Sequence, residues 1–148
     1  LWQSGVDVNL IIVGKKGWMV EKIEARIRKH PEYDKRLFWL EGISDEFLEK
    51  VYLNSACLLA ASEGEGFGLP LIEAAQHNLS IIARDIPVFR EVAGEYAFYF
   101  SGMEPETLAD AVKKWLALNA RGCNPASICM PWLTWHQSTQ QLLKAIIP

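Results

Sequence analysis

Residues 61–75 read ASEGEGFGLPLIEAA and combine flexible backbone with acidic side chains. Three glycines stand at alternate positions beginning with Gly64, and two carboxylates, Glu65 and Glu73, have seven residues between them. Pro70 stands where a helix is expected to begin. Since a simple surface turn needs none of this arrangement, the stretch raises the question of a ligand.

The stretch follows an apolar strand and leads into a helix, which favours an anion site. The first amides of a helix lack intrahelical partners and carry partial positive charge, and glycines let a ligand come close to the backbone. A phosphate suits such a place. Glu65 then lies beside the phosphate, while Glu73, about one helical turn into the helix, suits the vicinal hydroxyls of a ribose. A sugar nucleotide carries ribose, diphosphate and sugar together.

A plainer interpretation of the same residues stays open on spacing alone. Glycine-rich loops after strands are common turns, in which Glu65 is a solvated acid. Glu73 is then an acid that favours the positive end of the helix dipole. The stretch is not a P-loop, because the lysine and hydroxyl that follow the last glycine of that motif are absent.

Apolar runs and helix signals alternate along the chain. The run VNLIIV at 8–13 is continuous and apolar, which predicts a strand buried on both faces. Ser44 is expected to cap the second helix. The other predicted strands are 36–40, 56–61, 80–83 and 97–100. The predicted helices are 19–30, 45–55, 70–77, 87–94, 105–119 and 132–147.

This alternation predicts an α/β fold, a Rossmann-like parallel sheet with helices on both faces. We expect one domain over residues 1–148. Ligands of such sheets bind at the carboxyl ends of the strands. Four loops follow strands and are therefore expected on one edge: GKKGW, EGISD, SEGEGFGLP and RDIPVFRE.

The composition fits a folded globular protein, since half of the residues are apolar and the formal net charge is −3. Without a basic face or tail, nucleic-acid binding is not expected. Three cysteines, with no histidines placed to complete a zinc site, indicate reduced thiols in the cytoplasm, with Cys57 in the core. No signal peptide or membrane-spanning run is recognised. Because the chain opens with Leu1, we expect a piece of a longer protein.

The segment from Glu65 to Glu73, EGFGLPLIE, resembles the signature of retaining glycosyltransferases of the GT-B fold, an E-x7-E motif within E-G-F-G-L-P-x-x-E. Four other segments resemble blocks of the family's carboxyl-terminal, donor-binding domain: LIIVGKKGW, RLFWLEGISDEFLEKVY, IIARDIPVFREVAGEYAFYF and WLTWHQSTQQLL. The forms GKKGWM and RDIPVFREVAG look most like bacterial mannosyltransferases of polysaccharide and O-antigen assembly. The resemblance extends over nearly the whole chain.

The resemblance implies a role for each part of the motif. Glu73 is implied to hydrogen-bond the ribose of the donor. Glu65 is the implied catalytic residue, contacting the hydroxyls of the transferred sugar or helping to stabilise its charge. Four backbone amides are implied to face the sugar and the diphosphate: Gly66, Phe67, Gly68 and Leu69.

Two other loops carry further candidates. Ile43 is implied to lie against the base, together with Asp45, which is equally a first-turn acid of a helix. Lys15 follows a strand and can approach the nucleotide, although an exposed loop lysine needs no such role. Three charged residues share the predicted edge and suit capping or ion pairs equally well: Arg84, Asp85 and Glu91.

The implied reaction moves a sugar, with GDP-mannose as the favoured donor, to a saccharide or lipid-linked acceptor with retained α-configuration. No cofactor or metal is implied, because the nucleotide sugar is a substrate and no DxD-type motif appears. The family's domain begins with one more strand and helix and follows an acceptor-binding domain. We therefore expect this chain to lack full activity alone, and its parent to be cytoplasmic, either free or peripheral at the inner membrane face.

Two alternatives accompany this prediction. A non-catalytic nucleotide-sugar binding module has the same fold without the transfer step. Another GT-B enzyme, such as a nucleotide-sugar epimerase, is disfavoured because its motif region should differ from GEGFGLPLIEAA.

Overall fold

The computed structural model describes residues 1–147, so Pro148, the last residue of the predicted domain, lies outside the described residues. Within these residues, five strands alternate with five α-helices, and a sixth α-helix follows. The strands are β1 Leu10–Val13, β2 Leu37–Leu40, β3 Cys57–Ala60, β4 Ser80–Arg84 and β5 Phe98–Phe100. The helices are α1 Glu21–Arg28, α2 Asp45–Leu53, α3 Leu69–Gln76, α4 Pro87–Ala93, α5 Pro105–Asn119 and α6 Trp135–Ile146.

Two compact units divide the chain, Leu1–Lys50 and Val51–Pro148, with the division inside α2. All strand pairs are parallel, but they form a two-stranded sheet, β1-β2, and a three-stranded sheet, β3-β4-β5. The predicted α/β, Rossmann-like fold with parallel strands is therefore confirmed, and its strands are divided between two sheets. Alternating strands and helices predict parallel pairing, but they do not specify which strands become neighbours. One domain over residues 1–148 stays a prediction.

The first unit is organised by the pairing of β1 with β2, in the register Leu10 with Leu37 through Val13 with Leu40. Ion pairs fix the connecting segments. Arg28 binds Glu24 through Nε and Glu41 through Nη2, both at 3.0 Å, and Lys16 binds Glu24 at 2.6 Å. Hydrogen bonds from Lys16 and Arg28 lower the pKa of the Glu24 carboxyl.

The prediction that the first strand is buried on both faces is wrong. Leu10, Ile11 and Val13 are exposed, with 37 to 40% of their surface accessible. Within residues 1–147, β1 has a single hydrogen-bonded neighbour, β2. A continuous apolar run indicates a strand that can be buried, but burial depends on the elements that pack against it.

The second unit contains the main core, built on both faces of the β3-β4-β5 sheet. Successive strand residues point to opposite faces, and β4 shows this directly. Ile81 and Ala83 belong to a cluster with α3 and α4, whereas Ile82 belongs to a cluster with α5. The helices on both faces follow the prediction.

Two buried clusters make up this core. The larger contains Ala60, Leu71, Ala74, Ala75, Leu79, Ile81, Ala83, Phe89, Ala93, Ala97 and Met130. The smaller contains Ile82, Phe100, Ala111 and Trp115. Cys57 packs against the smaller cluster, and burial raises the pKa of its thiol to about 11, which keeps this cysteine protonated and unreactive.

The segment after α5 is held to the sheet by side-chain hydrogen bonds. Ser127 Oγ donates to the Leu79 carbonyl at 2.8 Å, and Asn124 Nδ2 donates to Ser80 Oγ at 2.6 Å. Beyond it, Thr134 and Gln137 form a capping box at the start of α6. The apolar side chains of α6 are exposed. Among the helices of residues 1–147, none is both long and apolar enough to cross a membrane.

Most predicted element positions are correct to within one to four residues, and α5 matches at both ends. Ser44 caps α2 as predicted, because its Oγ accepts from the Phe47 amide at 3.3 Å. The predicted first helix includes Met19, but Met19 has a positive φ of 59° and lies outside α1, which begins at Glu21. Helix ends depend on local backbone geometry that apolar periodicity does not encode.

Candidate functional site

The glycine-rich loop connects the buried strand β3 to helix α3 at the carboxyl edge of the second unit's sheet. Gly68 is the N-cap of α3, with φ 86° and ψ 35°, and Pro70 stands in the first turn. The Leu71 amide already donates to the Gly68 carbonyl at 3.0 Å, and Pro70 has no amide proton. Leu69 therefore carries the helix amide best placed for a ligand, preceded by the loop amides.

Gly68 is required by the backbone of this loop. Its φ of 86° lies in the left-handed region, which is costly for residues that have a Cβ. A Cβ at this position would also lie 3.4 Å from Cδ1 of Phe89, an ordinary van der Waals contact. The strain at Gly68 is therefore conformational, and Phe89 forms the surface beneath the loop.

Replacing Gly68 with Ala is expected to lower the free energy of unfolding by about 1–2 kcal/mol, the cost of placing a Cβ in a left-handed conformation. Gly64→Ala is the matched control, because nothing lies within 4 Å of a Cβ there and no positive φ applies. Urea denaturation of both variants measures the difference. Equal losses in the two variants would show that Gly68 is not conformationally required.

Glu65 is exposed in the loop, and its Oε1 accepts a hydrogen bond from the Gly66 amide at 3.1 Å. The Gly66 amide therefore points to a position that holds an anionic oxygen. Phe67 and Leu69 are exposed beside it, at 57 and 44% of their surface. This outward-facing loop offers amides and a carboxylate to a ligand.

Glu73 lies in α3 and is half-buried, unlike Glu65. Its Oε2 accepts a hydrogen bond from the Tyr52 hydroxyl at 2.7 Å. The Tyr52 ring also lies against the His77 ring, with centroids 5.1 Å apart. The second acid of the motif thus accepts a hydrogen bond from a residue of α2, whereas the first accepts one from the amide of the next residue.

Charged residues at the end of β4 and just after it are engaged in structural contacts. Arg84 donates to the carbonyls of Ala61 and Gly102, which ties together the ends of β3, β4 and β5. Arg90 donates two hydrogen bonds, of 2.7 and 2.8 Å, to the carboxylate of Asp85. The hydrogen bond from Arg90 lowers the pKa of the Asp85 carboxyl. The ion-pair role expected as an alternative for Asp85 is therefore confirmed, while Arg84 supports the start of the glycine-rich loop.

The candidates of the first unit lie after β1 and β2, at the carboxyl edge of that sheet. Lys15 is exposed and Ile43 is half-buried. Asp45 is the first residue of α2, the position at which an acid favours the helix dipole. Base and nucleotide contacts by these residues stay predictions.

The structure shows three contributors that the motif did not reveal: Tyr52, Phe89 and Arg84. Each of them lies outside the glycine-rich segment. Tyr52 precedes Glu73 by 21 positions, and Phe89 follows Gly68 by 21 positions. Arg84 had been placed on the correct edge without a partner. For Tyr52, the available signal was a tyrosine near the end of an amphipathic helix, which is too common to be specific.

Comparison with known proteins gives the family of this chain. Residues 1–124 match the family described as glycosyl transferases group 1. The chain belongs to this family. The match covers the motif and both sheets, so the predicted glycosyltransferase relationship is confirmed.

Similar curated proteins are bacterial mannosyltransferases. The chain is 56% identical over 144 residues to the serotype-specific mannosyltransferase WbdA of Escherichia coli, covering 97% of the chain and 18% of that protein. It is 34% identical over 105 residues to the O-antigen chain mannosyltransferase RfbU of Salmonella typhimurium, covering 71% of the chain and 30% of that protein. The chain thus spans less than a third of the length of either relative.

A solved structure with a similar fold is the crystal structure of the GtfA/B complex. It matches with a TM-score of 0.60 and 22% identity, over 93% of this chain and 25% of that one. At this identity the likeness concerns the fold, and it agrees with the parallel α/β architecture of this glycosyl transferases group 1 chain.

Proposed function

We propose that the chain is the donor-binding domain of a longer, two-domain retaining glycosyltransferase. It takes mannose from GDP-mannose for transfer to a saccharide or lipid-linked acceptor in polysaccharide or O-antigen biosynthesis. The observation that carries the proposal is the loop from Glu65 to Gly68, which presents a carboxylate and outward amides at the start of α3. The family match and the similarity to two mannosyltransferases support the sugar and the pathway.

The backbone around the start of α3 binds the diphosphate in this proposal. Helix N-terminal amides and glycine-loop amides stabilise anions without needing a metal ion. The Gly66 amide already donates a hydrogen bond to the Glu65 carboxylate. When the nucleotide sugar binds, a diphosphate oxygen takes the place of the Glu65 oxygen at this amide. Release of Glu65 from Gly66 then places its carboxylate near the transferred sugar.

The two acids act at opposite ends of the donor. Glu73, half-buried and held by Tyr52, accepts hydrogen bonds from the ribose hydroxyls. Glu65 stabilises the positive charge that develops on the sugar as the bond from its anomeric carbon to the diphosphate oxygen breaks. The bond to the acceptor oxygen forms on the same face of the sugar, the acceptor hydroxyl gives its proton to the departing diphosphate oxygen, and the nucleoside diphosphate leaves.

Acceptor recognition belongs to an amino-terminal domain of the parent protein in this proposal. The similarity of the chain to only 18% of WbdA supports a longer parent. We place that parent in the cytoplasm, free or peripheral at the inner membrane face, where nucleotide sugars and lipid-linked acceptors meet.

Nucleotide titration of the 148-residue chain tests donor binding. Adding GDP is expected to shift the backbone amide signals of residues 64–73 in NMR spectra, because the diphosphate contacts this loop. UDP carries the same diphosphate, so its shifts should be smaller only because a different base lowers its affinity. Calorimetry gives the two dissociation constants. The absence of any shift in these amides at millimolar GDP would overturn the proposed donor site.

Turnover distinguishes a transferase from a non-catalytic nucleotide-sugar binding module. The full-length parent is expected to release GDP from GDP-mannose in the presence of an acceptor. If the parent binds GDP-mannose but shows no transfer to any lipid-linked saccharide acceptor tested, the binding module becomes the better description.

A further inference from the structure

Tyr52 and Glu73 form a linked pair in the second unit, with the hydroxyl of Tyr52 2.7 Å from Oε2 of Glu73. Tyr52 lies in the last turn of α2, and Glu73 lies in the middle of α3. The tyrosine is half-buried and packs against the larger core cluster. Packing against the core therefore positions the ring and the hydroxyl of Tyr52.

The same ring contacts His77, the C-cap residue of α3. His77 lies four residues after Glu73, on the same face of the helix, and its ring centroid is 5.1 Å from that of Tyr52. Tyr52 thus lies along one face of α3 and contacts two consecutive turns. A ring held in this way directs its hydroxyl at a single place, the Glu73 carboxylate.

A hydrogen bond from a neutral donor suits a carboxylate that must bind hydroxyls. It restricts the rotation of the glutamate side chain while leaving its negative charge uncompensated by a cation. Each carboxylate oxygen has further acceptor capacity, so a ligand hydroxyl can still bind. Restricting a binding group before the ligand arrives removes part of the entropy cost of binding.

We propose that Tyr52 is a positioning residue that orients Glu73 toward the ribose hydroxyls of the nucleotide donor. This inference rests on the proposed function, in which Glu73 binds that ribose. Tyr52 acts through Glu73 and itself contacts no part of the donor.

The Tyr52 hydroxyl keeps its proton over a wide pH range. Burial raises the pKa of Tyr52 above its ordinary value, and the hydrogen bond to Glu73 and the negative charge of that residue raise it further. Glu73 of α3 and His77, the C-cap residue of that helix, both contact Tyr52. The hydroxyl is consequently a donor to Glu73 at every pH at which a glycosyltransferase operates.

The test compares GDP with dideoxy-GDP, which lacks both ribose hydroxyls, by calorimetry on the 148-residue chain. For the unaltered chain we expect GDP to bind at least about tenfold more tightly, the range typical of hydrogen bonds to a charged group. In Tyr52→Phe this preference should fall to about threefold or less, with dideoxy-GDP binding unchanged. In Glu73→Gln it should fall similarly, and the double variant should show no further loss.

Tyr99→Phe is the matched control. Tyr99 is also half-buried and also uses its hydroxyl, which donates to the Phe89 carbonyl at 3.0 Å. Its removal deletes a comparable hydrogen bond away from Glu73, so the preference for GDP should match that of the unaltered chain. Equal weakening of GDP and dideoxy-GDP binding in Tyr52→Phe would show a merely structural role and overturn the positioning proposal.

Failure of the proposed function gives a different result. If the unaltered chain binds both nucleotides equally, or binds neither, Glu73 does not bind the ribose and both proposals fall. If the unaltered chain prefers GDP and Tyr52→Phe keeps that preference, donor binding stands and only the role of Tyr52 is rejected.

Discussion

Replacing Glu65 with Gln is expected to lower the turnover of the full-length protein by about a hundredfold to a thousandfold, the range seen when one electrostatic contact to a transition state is removed. Glutamine keeps the shape of the side chain and its carbonyl oxygen but removes the negative charge. In the proposed mechanism that charge faces the sugar as positive charge develops on it. Steady-state release of GDP from GDP-mannose, with acceptor present, measures the effect.

The binding of the donor should change far less than turnover in this variant, because Glu65 acts mainly on charge that develops during the reaction. Glu63→Gln is the matched control, since Glu63 is an exposed acid two positions earlier in the same loop. It should retain nearly full turnover. If Glu63→Gln and Glu65→Gln lose activity equally, the effect belongs to the overall charge of the loop, and Glu65 has no specific catalytic role.

Replacing Phe89 with Ala is expected to lower the free energy of unfolding by about 3–5 kcal/mol, the usual cost of removing a buried phenylalanine. Phe89 is 1% exposed and belongs to the larger core cluster. Its ring also lies beneath Gly68, so its loss leaves a cavity directly under the glycine-rich loop. Since domains have about 5–15 kcal/mol of stability in total, this single change removes a large share.

Chemical denaturation followed by circular dichroism measures this loss. Phe47→Ala is the control, because Phe47 is 48% exposed and its truncation should cost well under half as much. A loss below about 1 kcal/mol for Phe89→Ala would mean that the neighbouring side chains close the cavity. It would then be wrong to regard Phe89 as the main support of the loop.

The motif residues could be recognised before the fold was known because their chemistry is local. Glycines, a helix-starting proline and acids at set distances occupy one continuous segment, so their order in sequence largely decides their positions in the loop and in the first turns of α3. The structure accordingly has Gly68 as the N-cap and Pro70 in the first turn. The same segment, however, did not distinguish an exposed Glu65 from a half-buried Glu73.

For the strands, position could be predicted from sequence but burial could not. Apolar runs identified all five strands to within two residues at each end, because strand formation follows local patterns of branched and aromatic residues. The exposure of β1 could not be predicted in this way. Burial is a property of the elements packed around a strand, and a run such as LIIV is equally consistent with a covered or an uncovered face.

The amino-acid sequence by itself determined the alternating α/β elements, the glycine-acid motif and the membership of a glycosyltransferase family. Only the tertiary structure decided which side chains support that motif. Tyr52 meets Glu73, and Phe89 meets Gly68, across 21 positions of sequence in each case. These contacts arise from how α2, α3 and α4 pack around the β3-β4-β5 sheet, and no local periodicity specifies the partners that such packing brings together.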